Sequence, residues 1–419
     1  MQMNRKLMLL AAIAIASQSC TVVYREIRYG EPGIDAHKIF PFDTIKTGVS
    51  PFYFKKGNES ILNEAIIQPS DIKNINTTIH DSAFTLDYFL KKTATTAFIV
   101  IRNDSILFEK YYRGYDKCKI STIFSVSKSI TSLLVGIAID EGYIAGVQDP
   151  ITRYVPVLKG RDPKFERLTI EHLLNMRSGL KFKESYAKPF SGMARHYYGL
   201  NQLGKIKKLK FEIEPGARFQ YQSVSTALLG IAVENAAGVP LAGYLEKKIW
   251  IPLGMENGAT WSLDDKRHRV AKAYGGLNTT VIDLAKIGRL YLHKGNWNGQ
   301  QIVSEAWVKK SVTPNAQNNG YQYQWRFIAH DLKEEYPDSL SALEAWNNPR
   351  NIYSTCTFRI WQEVSNEHSW HIRIFYPYYY AYGFDGQVLA VCPEKNLILV
   401  RLGEGEDFQL FMYFLSTKL

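Results

Sequence analysis

A chain of 419 residues exceeds the usual size of one compact core, so two subdomains or one domain with an insertion are expected. With 46% hydrophobic and 22% charged residues it is a folded globular protein, which excludes a disordered chain. The formal net charge of +11 comes from lysines and arginines scattered without a dense block, so the charge describes a solvated basic surface and offers no nucleic-acid motif.

The chain opens with Arg5 and Lys6, an apolar run from Leu7 to Ala16 and small residues before Cys20, the layout of a secretory signal over residues 1–19. Its ten apolar residues are too few to span a bilayer. A cysteine directly after the small residues resembles a bacterial lipoprotein signal. That resemblance implies lipidation at Cys20 and a membrane-anchored protein in the periplasm or at the cell surface; plain secretion is the alternative. Loss of Arg5 and Lys6 with the signal takes the formal charge from +11 to +9. Beyond Cys20 there are only Cys118, Cys356 and Cys392, an odd number without C-x-x-C, so neither a disulfide framework nor a zinc site is expected.

Residues 20–78 contain Pro, Gly and Asn with no sustained period and read as an N-terminal arm or spacer, followed by a domain over 79–419. From Thr96, "TAFIVIRNDSILFEKYYRGY" is two β-rich runs around Asn103-Asp104-Ser105, a hairpin. "SVSKSITSLLVGIAIDEG" then sets Ile130, Leu133, Leu134, Ile137 and Ile139 at near-helical spacing and stops at Gly142, which predicts a buried helix with a glycine end. Helical patterns dominate from about 149 to 312. Strands return in "GQVLAVCPEKNLILVRLG", a hairpin turning at Pro393 to Asn396, and "EDFQLFMYFLSTK" reads as a closing helix. The expected class is α/β of the α+β kind: an antiparallel sheet from both chain ends, flanked by helices, with a mostly helical region inserted. Residues 326–380, rich in charge and aromatics, are either a lid that shapes a substrate pocket or an edge strand with surface loops.

The chain holds four S-x-x-K pairs: Ser70 with Lys73, Ser125 with Lys128, Ser178 with Lys181, and Ser185 with Lys188. Only Ser125 stands just before a long apolar helix. There the three-residue spacing puts both side chains on one face, about 5 to 6 Å apart at Cβ, and the helix N-terminus favours an oxyanion formed at the serine. An ordinary lysine, with a pKa of about 10.4, is protonated at neutral pH, so burial or a second group must help if it is to take a proton. The alternative is an ordinary helix start, with Ser125 as its cap and Lys128 in water. No G-x-S-x-G elbow is present, so an α/β-hydrolase has no nucleophile here.

In order and spacing, "FSVSKSITSLLVGIAIDEG", "LTIEHLLNMRSGL", "PGARFQYQSVSTALLGIAVENAAG", "IWIPLGM" and "GGLNTTVIDLAKIGRLYLHKG" resemble the serine hydrolases related to class C β-lactamases and penicillin-binding proteins, over roughly Thr96 to Gly403. "YYRGYD", "ATWSLDD" and "GFDGQ" resemble the branch of 6-aminohexanoate-dimer hydrolases and related esterases. The resemblance implies a β-lactamase/transpeptidase-like fold, a nucleophile at Ser125, its lysine at Lys128 and a proton-shuttling tyrosine at Tyr221. It implies an oxyanion hole from the backbone N–H groups of Ser125 and Gln387, and substrate contacts at Ser223 and at Phe384-Asp385-Gly386. Ser223 stands where the family's Tyr-x-Asn motif has asparagine, and Phe384-Asp385-Gly386 replaces a triplet that normally carries a basic residue. Both departures favour an esterase or amidase on a small-molecule substrate over a β-lactamase or a peptidoglycan D,D-peptidase; a non-catalytic envelope binding protein is the rival from another class. The literal Lys46-Thr47-Gly48 precedes the nucleophile and is coincidental. No cofactor or metal is implied, since His368 and His371 form a lone H-x-x-H without a third ligand.

Overall fold

The computed structural model of the protein describes residues 21–58, 62, 66–68, 83–185, 192–348, 356–362, 369–405 and 408–419. The signal segment, Cys20 and His368 lie outside these residues. The chain forms two compact units, one from Ile120–Pro252 and Asn257–Thr279 with the chain up to Val49, the other from Ser50–Lys119, Leu253–Glu256 and Thr280–Leu419.

The first unit is organised around two helices in contact, α1 (Val126–Asp140) and α2 (Ser223–Ala237). Every residue of α1 from Val126 to Ala138 is buried, because the helix is apolar or small on all sides and so sits inside its unit. It ends as expected at Gly142, whose φ of +77° suits a residue without Cβ and whose N–H bonds Ile139 O at 3.0 Å. A four-stranded antiparallel sheet runs in the order Phe42–Ile45, Ala259–Ser262, Leu277–Thr279, Ser121–Thr122. The described residues 21–49 of the arm therefore belong to the first unit. Residues 21–29 are helical, and Ile45 is fully buried where its strand pairs with Ala259–Ser262.

The second unit is the sheet expected from the two chain ends. Its main strands are β1 (Thr95–Arg102), β2 (Ser105–Tyr111), β3 (Arg326–Asp331), β4 (Thr357–Gln362), β5 (Trp370–Gly383), β6 (Gln387–Cys392) and β7 (Leu397–Gly403). The order is β3-β5-β6-β7-β1-β2, antiparallel throughout, with β4 also on β5 and the two-residue strand Lys55–Lys56 added in parallel to β2. One face buries Phe98, Val100, Val388 and Leu399 against Phe89 and the closing helix, through Phe411, Met412 and Leu415. The other face takes α3 (Val281–Leu292), where Gly288 lies so close to the sheet that a Cβ would stand 2.8 Å from Ile398 Cγ2. Residues 280–312, read from sequence with the inserted helices, thus belong with the sheet, since a sheet apolar on both faces needs helices on both.

In its described parts the stretch at 326–380 is sheet and helix. β3 pairs with β5 from Arg373 to Tyr380 and β4 from Trp370 to Phe375, and Ser339–Trp346 is helical. Pro377, which has no N–H for a ladder, sits in β5 where β4 pairing ends at Phe375, β6 pairing begins at Tyr379, and the β3 register shifts between Phe327 and Ala329.

Candidate active site

Ser125 precedes α1 at its N-cap position with helical φ/ψ of −66° and −9°, and its side chain makes no capping bond. Instead Lys128 Nζ donates to Ser125 Oγ at 2.7 Å and to Tyr274 O at 2.9 Å. Lys128 is 1% exposed and Ser125 half-buried, so the alternative of a solvated first-turn lysine is replaced by a buried Ser-Lys pair. The turn before it is held in an unusual shape: Phe124, buried, has φ +45°, a strained value for a bulky residue, and its carbonyl takes the Ser127 N–H at 2.9 Å. Ser127 Oγ in turn accepts from Leu277 N–H at 3.2 Å, and Thr131 Oγ1 donates to Ala273 O at 2.9 Å, which locks α1 to the segment carrying the Tyr274 carbonyl. The N–H of Ser125 itself meets no acceptor among the described residues.

Tyr221, half-buried, stands with its ring centroid 5.1 Å from Lys128 Nζ. Its place is set by the two residues that follow. Gln222 is buried and donates through Nε2 to Leu180 O and Phe182 O, at 2.8 and 3.1 Å. Ser223, the first residue of α2, gives its N–H to Glu184 Oε2 at 2.8 Å and its hydroxyl to Glu184 Oε1. Ser223 is buried and its hydroxyl donates to the Glu184 carboxylate, and Glu184 lines the cleft at this place. Glu184 thereby satisfies the Ser223 N–H at a helix start, where an acidic side chain is favoured. Neither Glu184 nor the Tyr274 carbonyl carried a sequence signal. One is an isolated acid in a loop, the other a backbone atom.

Behind Tyr274 the surroundings are dry. Its hydroxyl donates to His196 O at 3.0 Å, and burial pushes that phenol well up. Lys272, fully buried, donates to Tyr197 O at 2.7 Å and lies 4.4 Å from the Phe40 ring centre; burial first, then the charge of Lys205, pushes it well down. Asp264, Asp265 and His268 bring donor atoms within 4.8 Å of one another. Their carboxylate oxygens accept from the N–H groups of Asn201, Gln202, Asp265, Arg267, His268 and Val270, so the cluster orders a loop.

Phe384-Asp385-Gly386 and Gln387 belong to the second unit. The triplet is the turn between β5 and β6, with left-handed φ at Asp385 (+61°) and Gly386 (+74°), and a Cβ on Gly386 would stand 2.3 Å from Gly405 O. Gln387 is fully buried and its Nε2 donates to Phe384 O, Asp385 O and Gly403 O. Arg401, also fully buried, clamps the same turn, donating to Asp385 O, Gly386 O, Thr93 O and Glu404 O.

The family profile described as Beta-lactamase matches residues 86–408. The chain belongs to the beta-lactamase family. Within this family of serine hydrolases it is 26% identical over 310 residues to the 6-aminohexanoate-dimer hydrolase of Paenarthrobacter ureafaciens, covering 68% of this chain and 77% of that one. It is 29% identical over 191 residues to the esterase EstB of Burkholderia gladioli, covering 41% of this chain and 48% of the esterase. Among solved structures, a Bacillus anthracis protein inferred to be a 6-aminohexanoate-dimer hydrolase superposes with a TM-score of 0.70 at 18% identity, covering 92% of each chain, and shows the shared fold.

Proposed function

We propose that this beta-lactamase family member cleaves an ester or amide bond of a small molecule through an acyl-enzyme on Ser125. The observation that carries the proposal is the buried Lys128 Nζ held 2.7 Å from Ser125 Oγ beside the ring of Tyr221. Ser125 Oγ attacks the carbonyl carbon as its proton passes to the Lys128–Tyr221 pair, and the carbonyl electrons move onto oxygen. The Ser125 N–H, unbonded at the positive end of α1, faces that charge as the donor supplied by this unit. Collapse expels the alcohol or amine, which takes the proton, and water then attacks the acyl-enzyme, returning the proton to Ser125. The Gln387 N–H is the second donor implied by the family resemblance. The amide-bond relative and the esterase relative support this substrate class, and Ser223 in place of asparagine supports it over a D,D-peptidase. Export and anchoring through Cys20 complete the proposal, on the basic, apolar and small-residue order of residues 1–20.

The test is hydrolysis of short-chain 4-nitrophenyl esters and anilides by the chain begun after Cys20. Turnover by wild type that falls to background in Ser125→Ala supports the proposal. Equal rates in both, with folding intact by circular dichroism, would remove it, and retained ligand affinity without turnover would favour a binding protein.

A further inference from the structure

Tyr221 forms part of the wall of a cleft of about 750 Å³ in the first unit, large enough for a small-molecule acyl or leaving group. Five of its twelve lining residues are cationic: Lys181, Lys183, Arg195, Lys208 and Lys210. The backbone puts them there. Lys181 N–H bonds Lys210 O at 2.8 Å, Leu180 bridges to Phe211, and Met193 N–H bonds Lys183 O at 3.1 Å, so two lysine-bearing segments are laced side by side at one rim. Two acidic residues line the same cleft, Glu184 bonded to the Ser223 N–H and hydroxyl and Glu212 paired with Arg218 at 3.9 Å, so five basic side chains face two acidic ones. The four lysines make no ion pair among the described residues. The four lysines are exposed on adjacent backbone segments at one rim, and the excess of positive over negative side chains gives the cleft a field that draws in an anion.

We infer that the substrate carries an anionic group, a carboxylate in the simplest case, and that Lys181, Lys183, Lys208 and Lys210 seat it beside Tyr221. This rests on the proposed ester or amide hydrolysis at Ser125 and specifies the substrate class of that same site. The anion is thereby recognised from the Tyr221 side, whereas the triplet Phe384-Asp385-Gly386 carries no basic side chain.

The experiment compares kcat/KM for two matched pairs of esters: mono(4-nitrophenyl) glutarate against 4-nitrophenyl pentanoate, with the acid on the acyl side, and 3-carboxy-4-nitrophenyl butyrate against 4-nitrophenyl butyrate, with the acid on the leaving group. At low salt, at least one acidic ester is expected to exceed its neutral partner by about tenfold or more. That ratio should fall towards one in about 0.5 M NaCl and in the variant K181Q/K183Q/K208Q/K210Q, with K181Q and K210Q singly as the fallback should the fourfold variant fail to fold. Ratios near one for both pairs in wild type, or a preference that survives neutralisation of the lysines, overturn the inference. Neutral esters that still require Ser125 in that case show that only the anion site has failed. If wild type turns over no ester, the hydrolase reading fails separately, and calorimetric titration of glutarate decides the cleft: binding weakened about tenfold or more in the fourfold variant supports it, and no binding to wild type overturns it.

Discussion

Replacing Lys128 by methionine separates its chemistry from its structural role. The side chain is 1% exposed, its two hydrogen bonds run to Ser125 Oγ and Tyr274 O, and it forms no ion pair among the described residues. Losing those two bonds costs about 1–3 kcal/mol, and methionine, an unbranched apolar side chain of similar volume, offsets part of that by packing where a buried polar amine stood. The variant is therefore expected to stay within about 2 kcal/mol of wild-type stability. Under the proposed role, loss of Lys128 as the group that moves the serine proton costs roughly 10²–10⁴ in kcat/KM, which is about 3–5 kcal/mol at 1.36 kcal/mol per factor of ten. Urea denaturation and ester hydrolysis, measured on the same preparation, give both quantities. K128R should be as inactive as K128M, because a guanidinium keeps its protons. Turnover by K128M within about tenfold of wild type refutes the assignment, and recovery in K128R would reduce Lys128 to a fixed positive charge.

Three further outcomes follow from single contacts. E184A removes the acceptor for Ser223 N–H and Oγ at the start of α2 and should cost about 1–2 kcal/mol in urea; because Tyr221 is two residues away, kcat should fall with it, and an unchanged kcat would show that Tyr221 is held by other contacts. R401M strands the carbonyls of Thr93, Asp385, Gly386 and Glu404 in the second unit and should cost at least about 3 kcal/mol, read as a lower urea midpoint. His196, 5% exposed with Nδ1 lacking a hydrogen-bond partner among the described residues, is pushed down to about 3 by burial and by the charges of Lys205 and Lys272. A depressed folded value gives stability that is present above the unfolded value of about 6.5 and lost as pH falls towards 3, with a slope of up to about 1.4 kcal/mol per pH unit. H196F should flatten the stability profile in that window, and an unchanged slope would assign the acid sensitivity to other groups.

The parts legible in the sequence are those whose pattern is local. The β1–β2 and β6–β7 hairpins show alternation and a turn, at Asn103-Asp104 and at Pro393 to Asn396, and both are found there. The helix behind Ser125 is marked by its apolar run and Gly142. The small sheet of the first unit was not legible, because strands of two to four residues are too short to show a period of two, and its partners are drawn from residues 42 to 279. At the site, the Ser-Lys pair and Tyr221 were visible as spaced residue types. Glu184, the Tyr274 carbonyl and the strained Phe124 were not, since each acts through a tertiary contact or a backbone angle that no residue spacing encodes.

The most direct test of the nucleophile is to label the chain with a fluorophosphonate, which phosphonylates an activated serine, and to locate the adduct by peptide mass spectrometry. One adduct on the peptide carrying Ser125, absent from Ser125→Ala and much slowed in K128M, is the predicted result. An adduct on another serine, or labelling that persists in Ser125→Ala, would contradict the account.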